Sequence, residues 1–164
     1  MIKRDKRILG INPGARYVGL AVFHETDLLD WRIKTFTGKW TKEKAEKIIE
    51  MLSEHIENYD INALAIKKLH PARTSKNLKI LVYKIKNLAK RKRIECESYF
   101  IKEIEHVFLD GEKLNKRNLA DRVVAEYPML VHELNIEKSR KNSYFMRAIE
   151  AVALGMKIQN AIDS

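Results

Sequence analysis

The sequence predicts an α/β protein with a mixed five-stranded sheet, in which a three-strand antiparallel meander is extended by parallel strands and flanked by helices. Two observations support this. Three β-rich segments near the start are separated only by turn residues, and the later apolar segments alternate with helical stripes. Strands joined by short turns pair antiparallel, whereas strands joined through a helix pair in parallel by right-handed crossovers. We expect residues 1–164 to form a single domain, because this length suffices for one buried core.

The first three strands are predicted at residues 7–12, 17–23 and 27–36. Pro13 and Gly14 supply the turn chemistry between the first two. The third segment alternates apolar and polar side chains from Asp30 onward, which is typical of a strand with one buried face. The positions expected on one face are Leu29, Trp31, Ile33 and Thr35.

The remaining segments alternate between helix and strand. Thr41 is the predicted N-cap of a helix to about residue 56, and Ser75 is the predicted N-cap of a second helix. The predicted buried stripes are Ala45, Ile48, Ile49, Leu52 and Ile56 in the first helix, and Leu78, Leu81, Val82, Ile85, Leu88 and Ala89 in the second. Apolar runs predict strands at 61–66 and 94–99. Helices are predicted at 101–108, 118–126 and 143–160.

The positive charge is concentrated in one segment. The chain carries a net charge of +10, and residues 67–93 contain eleven Lys or Arg and no Asp or Glu. Outside this segment, 21 basic residues are balanced by 22 acidic ones. Such a local excess indicates one surface that binds a polyanion, most commonly nucleic acid. The alternative is a solvated, lysine-rich helix face. The expected nucleic-acid contacts are Lys68, Arg73, Lys76, Lys79, Lys84, Lys86, Lys90, Arg91 and Arg93.

The cysteine content and the hydropathy indicate a cytoplasmic protein without a membrane partner. Cys96 is the single cysteine, so an internal disulfide is excluded. The apolar run at residues 8–11 is too short for a secretory signal, and no later stretch approaches the length of a membrane span. The five histidines and Cys96 show no zinc-ligand spacing.

Four segments, in order, carry a resemblance to a known family. They are ILGINPGARYVGLAVF at 8–23, LAIKK at 64–68, SYFIKEI at 98–104 and MRAIEAVALGM at 146–156. The first resembles a Gly-Ile-Asp-Pro-Gly strand and turn, and the last resembles the start of an Asp-x-x-Asp-Ala helix. Together they are similar to the RuvC-like Holliday-junction resolvases and their YqgF relatives, within the ribonuclease H-like superfamily. The resemblance implies a ribonuclease H-like fold, DNA rather than RNA as the partner, and a homodimer.

The resemblance places the family's four catalytic acids on Asn12, Lys67, Arg147 and Glu150, so that only Glu150 keeps its carboxylate. The family reaction uses two Mg²⁺ ions, which need oxygen ligands and negative charge. Here the four positions sum to about +1 instead of about −4, a change in the wrong direction for divalent ions. We therefore expect no metal centre and no cofactor, with Mg²⁺ or Mn²⁺ required only if the chain is active and Glu150 as its ligand.

Each of these positions also has an interpretation without function. Asn12 can close the turn before Pro13 by a side-chain hydrogen bond. Lys67 and Lys68 can be solvated lysines at a strand end, and Arg147 and Glu150 can form a surface ion pair on one helix face. His70 is either a catalytic base or, more simply, a capping residue of its loop.

Three functions are consistent with these features. The first is a pseudo-nuclease that binds branched or duplex DNA through phosphates without cutting it. The second is an active Mg²⁺- or Mn²⁺-dependent endonuclease, either a junction resolvase or an RNA-processing nuclease. Its rearranged site would use Glu150 with Asp121 or Asp27. The third is a protein-interaction module with a basic face.

Overall fold

A mixed five-stranded sheet forms the centre of the computed structural model, which describes residues 5–132 and 146–163. The strand order is β3-β2-β1-β4-β5. The first three strands pair antiparallel, and β4 and β5 continue the sheet in parallel from β1. This confirms the predicted sheet. The strands are β1 (Arg7–Asn12), β2 (Tyr17–His24), β3 (Asp27–Thr35), β4 (Ala63–Lys67) and β5 (Glu95–Tyr99).

The first two helices begin at their predicted capping residues, and the helix predicted from residue 118 begins two residues earlier, at Lys116. The Thr41 side chain accepts a hydrogen bond from the Lys44 amide at 3.1 Å, and the Ser75 side chain accepts one from the Leu78 amide at 3.2 Å. The predicted start of the last helix, Ser143, lies outside the described residues. The helices are α1 (Lys42–Asn58), α2 (Lys76–Lys92), α3 (Ile101–Phe108), α4 (Lys116–Glu126) and α5 (Met146–Asp163), with short 3-10 turns at Pro71–Arg73 and Pro128–Leu130.

The sheet is covered on both faces. Because side chains alternate along a strand, neighbouring residues such as Ile8 and Leu9 enter different cores. The predicted stripes of α1 and α2 pack on the Leu9 face, whereas α3, α4 and α5 pack on the Ile8 face. A strand buried on both faces explains why β1 and β4 read as continuous apolar runs.

Helix α5 lies directly against the sheet. Residues 148–156 are buried, so the helix is apolar almost all round. Glycines allow the close approach: a methyl group on Gly10 would collide with the carbonyl oxygen of Ala151, and one on Gly19 would collide with that of Arg147. These contacts fix the start of α5 over the end of β1 and the start of β2, where the polar residues of the first and last resemblance segments meet.

The predicted face of β3 is wrong at Leu29. Asp30 pairs with Val22 and Leu28 pairs with Phe23, so a β-bulge leaves Leu29 as the extra residue. Its side chain is 51% exposed, and Leu28 is buried in its place. A bulge reverses the alternation of faces at one point in a strand, and the hydrophobic pattern of the sequence did not reveal it.

In the described ranges, none of the helices combines the length and the hydropathy that crossing a bilayer requires.

Candidate functional site

The four positions assigned by resemblance lie at one end of the central strands of the sheet. Asn12 ends β1, Lys67 ends the parallel neighbour β4, and α5 carries Arg147 and Glu150 in its first turns. We call these four residues the polar corner. The carboxyl ends of parallel strands are where ligands bind in open α/β sheets. The topology therefore brings together residues separated by more than a hundred positions in the sequence.

An ion pair joins Lys67 to Glu150. The Nζ atom of Lys67 lies 2.8 Å from Oε2 of Glu150. The Glu150 side chain is only 5% exposed and the Lys67 side chain 24%. Within the described part of the chain Oε2 accepts no hydrogen bond of good angular geometry, so the contact is mainly electrostatic. A buried carboxylate of this kind depends on its cation, because an unpaired charge is costly to bury.

A second lysine adds to the positive charge. Nζ of Lys116, the first residue of α4, lies 4.0 Å from Oε1 of Glu150. Lys116, Lys67 and Arg147 supply three positive charges against the single carboxylate, giving about +2 around Glu150. The corner is therefore more positive than the sequence alone suggests. Lys116 was missed because nothing in the local pattern near residue 116 shows that α4 approaches α5.

The alternative interpretation of Arg147 and Glu150 as a surface ion pair on one helix face does not hold. Glu150 pairs with lysines of β4 and α4, while the guanidinium of Arg147 lies 5.5 Å from the ring centroid of Tyr17. Asn12 is buried, and its amide nitrogen lies 3.5 Å from the backbone carbonyl oxygen of Arg147, a long contact. Arg147 is thus half-buried beside Tyr17, whereas Glu150 is almost fully buried.

Three further cationic side chains lie over aromatic rings at the same end of the sheet. Arg16 lies over the Tyr17 ring at 5.3 Å, Lys68 over Phe100 at 5.0 Å, and Lys157 over Tyr99 at 5.3 Å. Burial raises the pKa of Tyr99, with help from nearby glutamates, so its hydroxyl stays neutral at physiological pH. These cation–π contacts hold the positive groups in place on both sides of the corner.

The corner does not fit a two-metal centre. Glu150 is its single carboxylate, and a divalent ion at Oε2 would have to displace the Lys67 ammonium. Over residues 5–132 and 146–163, no three or more His, Cys, Asp or Glu side chains are grouped so that they would hold a metal ion. Mg²⁺ and Mn²⁺ prefer several oxygen ligands and negative charge, and this set offers the opposite sign.

The acids considered for a rearranged site are not gathered at the corner. In the sheet register Asp27 lies opposite His24, and His24 lies opposite Arg7, which is at the other end of β1 from Asn12. Asn12 is five residue steps along β1 from Arg7, a distance of about 17 Å. Asp121 lies exposed on α4 and belongs to no such metal-binding group of described residues.

The basic segment 67–93 does not form one surface. Helix α2 turns its side chains to different sides, as the 3.6-residue period requires. Lys84 and Arg91 line a groove beside α1, and Lys68, Lys79 and Lys86 line a cavity beside the 69–74 loop. Arg73 and Lys76 lie exposed near the start of α2, and Lys90 and Arg93 lie exposed at its end. The basic residues of the segment are therefore divided between two sides of α2, and their contacts with nucleic acid stay predictions.

His70 is a capping residue of its loop. Its Nδ1 accepts a hydrogen bond from the Ala72 amide at 3.2 Å, and its backbone carbonyl accepts one from the Thr74 hydroxyl at 2.6 Å. A ring nitrogen engaged in this way stabilises the 3-10 turn, which agrees with the simpler of its two interpretations.

Comparison with known proteins relates this architecture to a group of solved structures. No protein-family profile matches the chain, and no curated protein sequence matches it. Among solved structures it is similar to Thermus thermophilus RuvC in complex with a Holliday junction substrate, with 16% identity over 97% of this chain and 96% of that one, at a TM-score of 0.71.

Two further resolvases share the fold. The yeast mitochondrial Holliday junction resolvase Ydc2 is 11% identical over 99% of this chain and 82% of its own, with a TM-score of 0.67. The fowlpox virus resolvase, in a complex with Holliday junction DNA, is 14% identical over 96% of this chain and 99% of its own, with a TM-score of 0.60. The chain therefore has a ribonuclease H-like fold of the RuvC type.

Proposed function

We propose that this chain is a RuvC resolvase-like protein that binds branched or duplex DNA through phosphates and does not hydrolyse it. The observation that carries the proposal is the ion pair of Lys67 with Glu150, at 2.8 Å. Two of the similar structures are of resolvases in complexes with Holliday junction DNA, which supports DNA as the partner. The proposal takes residues 1–164 as one cytoplasmic domain, in line with their composition.

The charges of the corner suit a phosphate oxygen. Lys67 neutralises Glu150, so Lys116 and Arg147 remain as excess cations beside it. An ammonium or guanidinium holds a phosphate as a point charge or a fork of donors. Neither generates a metal-bound hydroxide or stabilises a leaving oxygen as two metal ions do. The corner therefore binds a phosphodiester without supplying the chemistry that cleaves it.

Binding and cleavage with the same substrates test the proposal. Mobility shifts with a four-way DNA junction, duplex DNA and duplex RNA, each in EDTA, measure affinity across a salt series. The logarithm of affinity should fall linearly with the logarithm of salt, with a slope of about −0.9 for each phosphate neutralised. The same substrates are then incubated with millimolar Mn²⁺. We expect binding of the DNA substrates and no cleavage.

Two results contradict the proposal. A salt slope near zero would show that the protein does not bind DNA through its phosphates. Cleavage that requires Mn²⁺ would instead support the active endonuclease, whose acids the described residues do not bring together.

The assembly proposed with this function is a homodimer through the groove between α1 and α2. The groove has a volume of about 790 Å³. Its exposed apolar side chains are Ile80 and Tyr83, which are 38% and 66% exposed. The α1 wall carries Glu46, Glu50 and Glu54, and the α2 wall carries Lys84 and Arg91. A two-fold axis along the groove would set each acidic wall against the basic wall of a second copy.

Sedimentation equilibrium tests this assembly. We expect a dimer that Tyr83→Glu converts to monomer. The matched control is Val107→Glu on α3, where Val107 is also exposed, at 46%. A monomeric wild-type protein would contradict the assembly. Retention of a protein partner after nuclease treatment, by a chain that binds no DNA, would favour the interaction module.

A further inference from the structure

A second cavity adjoins the polar corner on the other side of the β4 end. It has a volume of about 430 Å³ and lies between the 69–74 loop and α2. We call it the loop cavity. Its half-buried floor is Leu69, Thr74 and Val82. This volume lies within the range of small-ligand sites in proteins.

The loop cavity and the polar corner are joined by two consecutive residues. Lys67 points to the α5 side, where it meets Glu150, and Lys68 lines the loop cavity. Consecutive residues at a strand end project to opposite faces, so the two sites lie on either side of one strand end. A nucleic-acid strand that places one phosphate at the corner would have to cross only the end of β4 to reach this cavity.

The rim of the loop cavity is purely basic. Lys68, Lys79 and Lys86 are exposed there, and none of the described residues that line it is Asp or Glu. Lys79 and Lys86 share one side of α2 because they are seven residues, or two turns, apart. The groove on the other side of α2 differs, since glutamates of α1 balance Lys84 and Arg91 there. The uncompensated rim favours an anionic group.

The floor of the loop cavity is apolar and offers few hydrogen bonds. Leu69, Pro71 and Val82 have no polar side-chain atom. The Thr74 hydroxyl donates its hydrogen to the His70 carbonyl oxygen, so only its lone pairs face a ligand. A ligand with a flat apolar body and a phosphate fits this combination, whereas inorganic phosphate would leave the floor uncovered.

We infer that the loop cavity binds one unpaired nucleotide, with its base packed on Leu69, Pro71 and Val82 and its phosphate held by Lys79 and Lys86. Because the floor lacks directional hydrogen-bonding groups, recognition depends little on base identity. A paired base would lose its stacking and base-pairing energy on entering the cavity. The site therefore favours strands with unpaired nucleotides. This inference rests on the proposed function, because it adds a second contact to the strand bound at the corner.

Amide chemical shifts of the nitrogen-15 labelled protein test the inference. Thymidine 5′-monophosphate, thymidine and inorganic phosphate are titrated separately. We expect the monophosphate to shift the amides of Leu69, Thr74 and Val82. It should bind at least about fivefold more tightly than inorganic phosphate, because base packing adds to the charge contacts.

Two variants remove the same charge, one from the rim of the loop cavity and one from the exposed side of α1. Lys86→Ala should weaken monophosphate binding about fivefold. Lys47→Ala, at an exposed position that lines neither the loop cavity nor the groove, should leave it unchanged. Equal effects of the two variants, equal affinity for inorganic phosphate, or no shift at the three amides would each overturn the inference. Junction binding is measured in parallel. Junction binding without nucleotide shifts refutes the cavity alone, whereas nucleotide shifts without junction binding refute the proposed function.

Discussion

Lys67 and Glu150 form a contact of 2.8 Å across the interface of β4 and α5, and Glu150 is almost fully buried there. The pair places an ammonium against the one carboxylate that the resemblance retains. The relation is asymmetric, because Lys67 reaches solvent more than Glu150 does. The two residues should therefore respond differently to the loss of their partner.

Lys67→Met should destabilise the protein more than Glu150→Gln does. The first change leaves a buried carboxylate whose remaining ion-pair partner among the described residues is the Lys116 ammonium at 4.0 Å, and should cost about 2 to 3 kcal/mol. The second leaves a lysine that can turn toward water, and should cost about 1 kcal/mol. Urea unfolding of both variants and the double variant gives the coupling energy, expected at about 1 to 2 kcal/mol.

The exposed pair of Arg122 and Glu126 is the control, with atoms 3.4 Å apart on α4. Its coupling energy should be about 0.3 kcal/mol. A coupling no larger at Lys67 and Glu150 than at this pair would mean that the buried contact has no energetic role.

Gly19→Ala should destabilise the fold and displace the start of α5. The added methyl group would collide with the carbonyl oxygen of Arg147, which is backbone and cannot rotate away. Overpacking of this kind costs about 2 kcal/mol. Gly38→Ala is the control. Gly38 has a φ of +91°, but a methyl group added there would meet none of the other described residues within 4 Å, so only its backbone conformation is penalised, by about 1 kcal/mol. Urea unfolding measures both costs, and only Gly19→Ala should also weaken junction binding.

Arg147→Ala should lower junction affinity about fivefold at low salt and reduce the salt slope by about 1, because it removes one phosphate contact. Mobility shifts over a salt series measure both quantities. Arg122→Ala removes the same charge from the exposed face of α4 and should change neither. If both variants lose affinity equally, DNA binding reflects net charge and the corner has no special part in it.

His55 should make the protein less stable at mildly acidic pH. Burial lowers the pKa of His55 below 6.5, and this outweighs the hydrogen bond that its Nδ1–H donates to the Met51 carbonyl. As the pH falls below 6.5, the unfolded chain therefore binds a proton at His55 that the folded chain resists. Stability is lost with falling pH, and above this range His55 has no effect.

Thermal melts between about pH 7 and about pH 5 measure this loss. The decline should be shallower in His55→Gln, while His106→Gln, at an exposed position of α3, should match the wild type. Parallel profiles for all three proteins would show that His55 titrates alike in the folded and unfolded chains.

The sequence predicted most of the fold because the deciding signals are local. Thr41 and Ser75 bond to amides three residues away, and the stripes of α1 and α2 follow from one helical period. The bulge at Leu29 was not predictable in this way, since it depends on how β3 pairs with β2. The division of basic residues between two sides of α2 was available from the same period, but the charge count treated the segment as one surface.

The site was predicted less completely than the fold. Resemblance motifs brought Asn12, Lys67 and Glu150 into consideration, and the fold places them at one corner. The partners of Glu150 depend on contacts across 34 and 83 residues of sequence. No pattern in one segment reports such a contact, which is why Lys116 was missed and why an ion pair of Arg147 with Glu150 stayed open as an alternative.

Manganese binding measured by electron paramagnetic resonance tests the central claim, that the sign of charge at the corner opposes divalent ions. The wild-type chain is compared with the variant carrying Asn12→Asp, Lys67→Glu and Arg147→Asp, both after removal of adventitious metal. The account predicts no Mn²⁺ bound to the wild type at millimolar concentration and Mn²⁺ bound by the triple variant. Two coupled Mn²⁺ ions bound beside Glu150 in the wild-type chain would contradict it.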